Sequence, residues 1–126
     1  MPESHNPRVL LIDDDRALLR MARLALASDA MVVDTAADGV EGLEKLAAAD
    51  FDVIVLDLQM PRMDGREFYR EMRSRGYRTP VIILSAYGAE TARKELGAEC
   101  AVTKPFDPAS LIRVVRSQSN GGAEQS

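Results

Sequence analysis

The stretch Val53-Ile54-Val55-Leu56-Asp57 decides the fold: an unbroken apolar run closed by a carboxylate. A strand with one wet face alternates apolar and polar residues. A continuous β-branched run instead needs apolar cover on both faces, as in a parallel sheet flanked by helices. Two other runs share this design. Val9-Leu10-Leu11-Ile12 is followed by Asp13-Asp14-Asp15, and Val81-Ile82-Ile83-Leu84 is followed by Ser85. Met31-Val32-Val33 and Ala101-Val102-Thr103 are weaker candidates, the latter followed by Lys104.

Helical patterns fill the gaps. Leu18, Met21, Ala22 and Ala25 fall on one helix face, as do Val40, Leu43, Leu46 and Ala47 in a second helix. Phe68 and Met72 mark a third, and Leu111, Ile112 and Val115 a last one, with Asp107-Pro108 reading as N-cap and first turn. The segment 89–96 reads as a short fourth helix ended by Gly97. A βα unit repeated five times predicts an α/β three-layer sandwich, (βα)5, of parallel strands. Right-handed crossovers favour the flavodoxin-like order 2-1-3-4-5. The expected domain spans 8–117, with flexible tails at 1–7 and 118–126.

The bulk properties fit that picture. A chain of 126 residues and 13.8 kDa suits one domain, and 46% hydrophobic with 29% charged residues reads as soluble and globular. Net charge −4 and pI near 5.0 argue against nucleic acid or a membrane surface as the main partner. The single cysteine, Cys100, excludes an intramolecular disulfide, and the single histidine, His5, makes a zinc site improbable. No apolar run reaches membrane-spanning length, so a cytoplasmic location is expected. Arg70, Arg73, Arg75 and Arg78 read as a solvated face, and Cys100 as a small buried side chain.

In open parallel sheets, ligands bind at the carboxyl ends of the strands. There this chain gathers Asp13, Asp14 and Asp15, then Asp57, Ser85 and Lys104. Crowded carboxylates raise one another's pKa unless a cation sits among them. An all-oxygen ligand set favours a hard ion, and Mg²⁺ suits it. A lysine and a hydroxyl alongside can hold phosphoryl oxygens, leaving one carboxylate as nucleophile toward phosphorus.

These residues resemble the receiver domain of two-component response regulators. The similarity covers nearly all of 8–117: Leu11-Ile12-Asp13-Asp14-Asp15, the loop Asp57-Leu58-Gln59-Met60-Pro61-Arg62-Met63-Asp64-Gly65, the pair Ser85-Ala86, and Lys104-Pro105-Phe106. The resemblance implies that Asp57 takes a phosphoryl group from a phosphohistidine of a sensor histidine kinase or histidine phosphotransferase. It implies Mg²⁺ bound by Asp14 and Asp57, by Asp13 mainly through water, and by the backbone carbonyl of Gln59. Lys104 would pair with the phosphate, Ser85 would move to hydrogen-bond it, and the Lys104–Pro105 bond would be cis. Asp15 reads as a helix N-cap. The protein would be a signalling phosphoacceptor rather than a turnover enzyme, monomeric or weakly dimeric, with output by protein contact.

Two features depart from the family pattern. Ala101 stands where receivers often carry an inward-turning aromatic. Ser85 and Lys104 are 19 positions apart, shorter than usual by roughly one helical turn, which the fourth helix should lose. Tyr87, two residues past Ser85, predicts a slowly hydrolysed phosphoaspartate. Competing readings are a haloacid-dehalogenase-type phosphohydrolase, which expects an aspartate where Gln59 stands, and a pseudo-receiver that no longer uses phosphate.

Overall fold

The computed structural model describes residues 6–125, with side chains through Ser119. Residues 1–5, which hold His5 and most of the expected N-terminal tail, lie outside the described residues, as does Ser126. Five strands alternate with five helices: β1 (Arg8–Ile12), α1 (Arg16–Ser28), β2 (Val32–Ala36), α2 (Gly39–Ala48), β3 (Val53–Asp57), α3 (Gly65–Ser74), β4 (Val81–Ser85), α4 (Ala89–Leu96), β5 (Cys100–Thr103) and α5 (Pro108–Gln125). All pairings are parallel and the order is β2-β1-β3-β4-β5, as the alternation predicts.

The continuous apolar runs form the three central strands and are buried throughout except for Arg8, which opens β1. Alternate residues feed two cores. Leu10, Ile12, Ile54, Leu56 and Ile83 pack with Phe68 and Met72 on the α2–α4 side; Val9, Leu11, Val53, Val55 and Ile82 pack with Leu26 and Leu111 on the α1–α5 side. Each such side chain withdrawn from water contributes roughly 1.5–3 kcal/mol before entropy is charged against it.

Four details differ from the sequence expectation. β2 starts one residue later than expected and runs through Asp34 and Thr35; an edge strand tolerates polar residues that a central strand would not. The buried face of α1 is Leu19, Ala22 and Leu26, turned from the face through Leu18 and Met21, because the helix carries apolar residues on several sides. α5 runs through residues expected as a C-terminal tail. Finally, Arg73 is no solvated residue: it donates to the carbonyls of Tyr77 and Thr79 at 3.1 and 2.9 Å, tying the turn after α3 to the helix. The short α4 is as expected, closed by Gly97 at φ 81.

Candidate functional site

The carboxyl ends of β1, β3 and β5 bring three charged side chains into contact. Lys104 Nζ lies 2.9 Å from Asp13 Oδ2 and 3.1 Å from Asp57 Oδ1. Asp13 and Asp57 are buried, at 2% and 5% exposure, whereas Asp14 is exposed. The remaining oxygen of Asp13 accepts the Asp15 N–H at 2.9 Å, and Asp15 caps α1 by accepting the Leu18 N–H at 3.1 Å. Sequence thus divides three consecutive aspartates among a buried anion, an exposed anion and a cap.

Electrostatics mark Asp57 as the strained member. Burial pushes its pKa up to about 6, the Asp13 carboxylate pushes the same way and Asp14 adds to it, with Lys104 pulling back. Burial also opposes the charge on Lys104, but its bonds to Asp13 and Asp57 prevail and its pKa is raised. One ammonium therefore stands against three carboxylates. Asp13, Asp14 and Asp57 each offer an oxygen within 4.8 Å of the others, which is the donor set and spacing a small hard cation fits.

Ser85 ends β4 in a buried position, with Thr103 as its register partner. Its hydroxyl donates to the Tyr87 carbonyl at 2.9 Å and accepts the Tyr87 N–H at 3.3 Å, a local turn that occupies it. Gln59 is exposed in the loop after β3, and the Tyr87 side chain projects into solvent at 84% exposure. Lys104–Pro105 is cis.

The loop from Asp57 to Gly65 is fixed partly by its own Arg62, Met63 and Gly65 and partly by Asp38 and Gly39, which the sequence reading did not single out. Gly65 donates to the Leu58 carbonyl at 2.9 Å, and a Cβ there would lie 2.3 Å from the Asp57 carbonyl oxygen. Gly39 donates to the Met63 carbonyl at 3.1 Å, and Arg62 Nε donates to Asp38 Oδ2 at 2.8 Å. A signal was present: Asp38-Gly39-Val40-Glu41 and Asp64-Gly65-Arg66-Glu67 share the pattern Asp-Gly-x-Glu. Both open helices, with the aspartate accepting the N–H of the glutamate three residues on.

The comparisons with known proteins agree with this geometry. The family described as response regulator receiver domain matches residues 9–116. Response regulator MprA of Mycobacterium ulcerans (strain Agy99) is 38% identical over 113 residues, covering 87% of this chain and 49% of that protein. Transcriptional regulatory protein QseB of Escherichia coli O157:H7 is 38% identical over 122 residues, covering 92% and 56%. The chain thus spans about half the length of these curated relatives. Among solved structures, the receiver domain of the Francisella response regulator 1452 superposes with a TM-score of 0.87 at 32% identity, covering 93% of this chain and 99% of that one. The receiver domain of sensor histidine kinase PA1611 from Pseudomonas aeruginosa PAO1, with a magnesium ion coordinated in its active-site cleft, gives 0.83 at 26%, covering 92% and 99%. From strand order, acidic edge and family match together, this chain belongs to the response regulator receiver domains of two-component systems.

Proposed function

We propose that Asp57 is the phosphoacceptor, taking its phosphoryl group from a phosphohistidine on a sensor histidine kinase or histidine phosphotransferase. The observation that carries this reading is the Asp13–Lys104–Asp57 contact with Asp14 beside it. Asp14 and Asp57, with Asp13 and the Gln59 carbonyl in support, would hold Mg²⁺. The ion, when bound, supplies positive charge against the transferring phosphoryl oxygens.

The chain's own residues perform the rest. A carboxylate oxygen of Asp57 attacks phosphorus in line with the P–N bond; the O–P bond forms as the P–N bond breaks, and the imidazole nitrogen leaves with the electron pair. Its pKa of about 6 leaves Asp57 mostly ionised at pH 7, as a nucleophile must be. Lys104 already touches Asp57 and moves with little displacement onto the new phosphoryl group. Ser85 exchanges its bond to the Tyr87 carbonyl for one to a phosphoryl oxygen, which frees the loop leading into α4.

The donor must come close to Asp57, and an apolar surface borders it. Leu18, Met21, Ala86, Pro105 and Phe106 line a cleft of about 460 Å³ beside Lys104. Such a surface suits a partner's amphipathic helices presenting the phosphohistidine. Ala101 removes the aromatic rotamer as a relay, so the Ser85–Tyr87 exchange carries the change toward α4. Incubation with acetyl phosphate and Mg²⁺, read by intact mass, should add one phosphoryl group to the native chain and none to Asp57→Asn. No adduct from acetyl phosphate or from a phosphorylated histidine phosphotransferase would reject the phosphoacceptor and favour a pseudo-receiver.

A further inference from the structure

α1 carries a second charged feature, on the side facing β2 and independent of the phosphoacceptor chemistry. Arg16, Arg20 and Arg23 line a groove of about 440 Å³ with Thr35, Ala37 and Glu41 at the carboxyl end of β2. Their spacing of four and three residues stacks them along one stripe about 10 Å long.

Three observations bear on these arginines. Among the described residues none of the three pairs with a carboxylate, a property they share with Arg70, Arg78 and Arg113, whereas the other seven arginines do. α1 contains no acidic residue, so like charges at i, i+4 and i, i+3 repel without relief inside the helix. Arg16 also occupies the first helical position, where the helix dipole disfavours a cation. The neighbouring carboxylates are engaged elsewhere: Glu41 Oε1 accepts the Ala37 N–H at 2.8 Å, and Asp15 caps α1. In a chain of net charge −4, this stripe keeps positive charge together at an electrostatic cost.

The other wall of the groove suggests the occupant. β2 is the edge strand, so one side of its backbone is free to pair, and Thr35 shares the α1-side face with Val33. Among the described residues the groove holds no aromatic ring on which a nucleobase would stack. An extended chain laid along β2 would use the free backbone edge and send alternate side chains toward the arginine stripe, with carboxylates matching its charge. We propose that this groove docks an acidic, extended segment of a partner protein.

The test uses the full chain, Mg²⁺-free, with a blocked ten-residue peptide of alternating glutamate and threonine followed by NMR. The peptide should shift the Nε–Hε signals of Arg16, Arg20 and Arg23 and the amides of residues 33–37. The triple variant R16Q/R20Q/R23Q, its amide spectrum otherwise preserved, should weaken binding by about tenfold or more. A glutamine–threonine peptide should not bind. The proposal is overturned if R70Q/R78Q weakens binding equally, if shifts centre on Asp57 and Lys104, or if nothing saturates at millimolar peptide. Tighter binding of inorganic tripolyphosphate than of the peptide would also overturn it, in favour of a small phosphate ligand.

Discussion

Arg62 Nε donates to Asp38 Oδ2 at 2.8 Å, joining the loop after Asp57 to the start of α2 across 24 residues of sequence. Arg62 holds φ at 64, a left-handed conformation that a non-glycine residue adopts at a cost. The arginine thus accepts local strain while its side chain clamps the loop that carries Gln59. The hydrogen bond from Arg62, then that from the Glu41 N–H, holds the Asp38 carboxyl below its usual range. A depressed carboxylate stabilises the fold above its unfolded pKa, and that contribution disappears as pH falls below about 4.

Asp38→Asn keeps a competent N-cap but removes the ion pair. With Arg62 mostly exposed, the melting temperature should fall by no more than about 4 °C. Phosphorylation by acetyl phosphate should fall more than that small loss implies, because the loop beside Asp57 loses its clamp. Arg62→Gly separates the two roles, since glycine accepts the backbone angle without providing a guanidinium. Native labelling rates in Arg62→Gly would show that the backbone conformation alone matters.

Asp57→Asn tests the electrostatic conflict. A carboxyl raised from 3.8 to about 6 costs stability as pH climbs through that window, because the folded state holds its proton more tightly than the unfolded chain. In EDTA at pH 7 the variant should therefore be more stable than the native chain, by about 1–3 kcal/mol. Below pH 4 the difference should vanish. Denaturant melts across pH 3.5–7.5 would check both statements, and a variant less stable than native at pH 7 would refute the assignment of conflict.

How much of this was legible in the sequence follows from chain geometry. The run 53–56 announced its own strand because burial on both faces leaves no room for a polar residue before Asp57 at the strand's end. The same logic placed Asp13, Asp57, Ser85 and Lys104 at strand ends on one edge of the sheet, where the structure has them. The edge strand β2 was harder to bound, since Asp34 and Thr35 have one solvent side and dilute its pattern. On α1, Leu18, Met21 and Leu24 remain partly or largely exposed, so apolar periodicity alone could not choose the buried stripe. The Arg62–Asp38 clamp joins two loops and obeys no period, which leaves it visible only in three dimensions.

Gly65→Ala should be among the most damaging single-methyl changes. The new Cβ would meet the Asp57 carbonyl oxygen at 2.3 Å and Leu58 Cα at 2.7 Å, both backbone atoms unable to step aside. A loss of about 2–4 kcal/mol in urea melts is expected. Gly76→Ala is the control: its φ of 93 is unfavourable for alanine, but no atom lies within 4 Å, so about 1 kcal/mol is expected. Equal losses would show that the backbone beside Gly65 gives way to the methyl, so that the close contact there costs no more than the unfavourable angle at Gly76.

Tyr87→Ala should separate gain from loss of phosphate. At 84% exposure the ring stands clear of the unphosphorylated site, so labelling by acetyl phosphate should stay within about twofold. In the proposed exchange Ser85 leaves the Tyr87 carbonyl, and the loop can then bring the ring against attacking water. Dephosphorylation in the variant should then speed up about fivefold, roughly 1 kcal/mol on the barrier. Equal decay rates, followed by phosphate release, would remove Tyr87 from the mechanism.

Lys104→Ala distinguishes charge from chemistry. In the metal-free protein Lys104 is the cation bonded to Asp13 and Asp57, so removing it leaves the acidic cluster one unit more negative. Mg²⁺ should then bind several-fold more tightly, since about 1 kcal/mol of added attraction is a factor of about five. On the proposed role of Lys104 as the ammonium that stabilises the transferring phosphoryl group, the same variant should accept phosphate about 10²-fold more slowly. Calorimetric titration with Mg²⁺ and labelling by acetyl phosphate read these two opposite movements on one protein. If metal affinity and labelling fell together, Lys104 would be acting as a structural strut for the cluster, and its assignment to the phosphoryl group would fail.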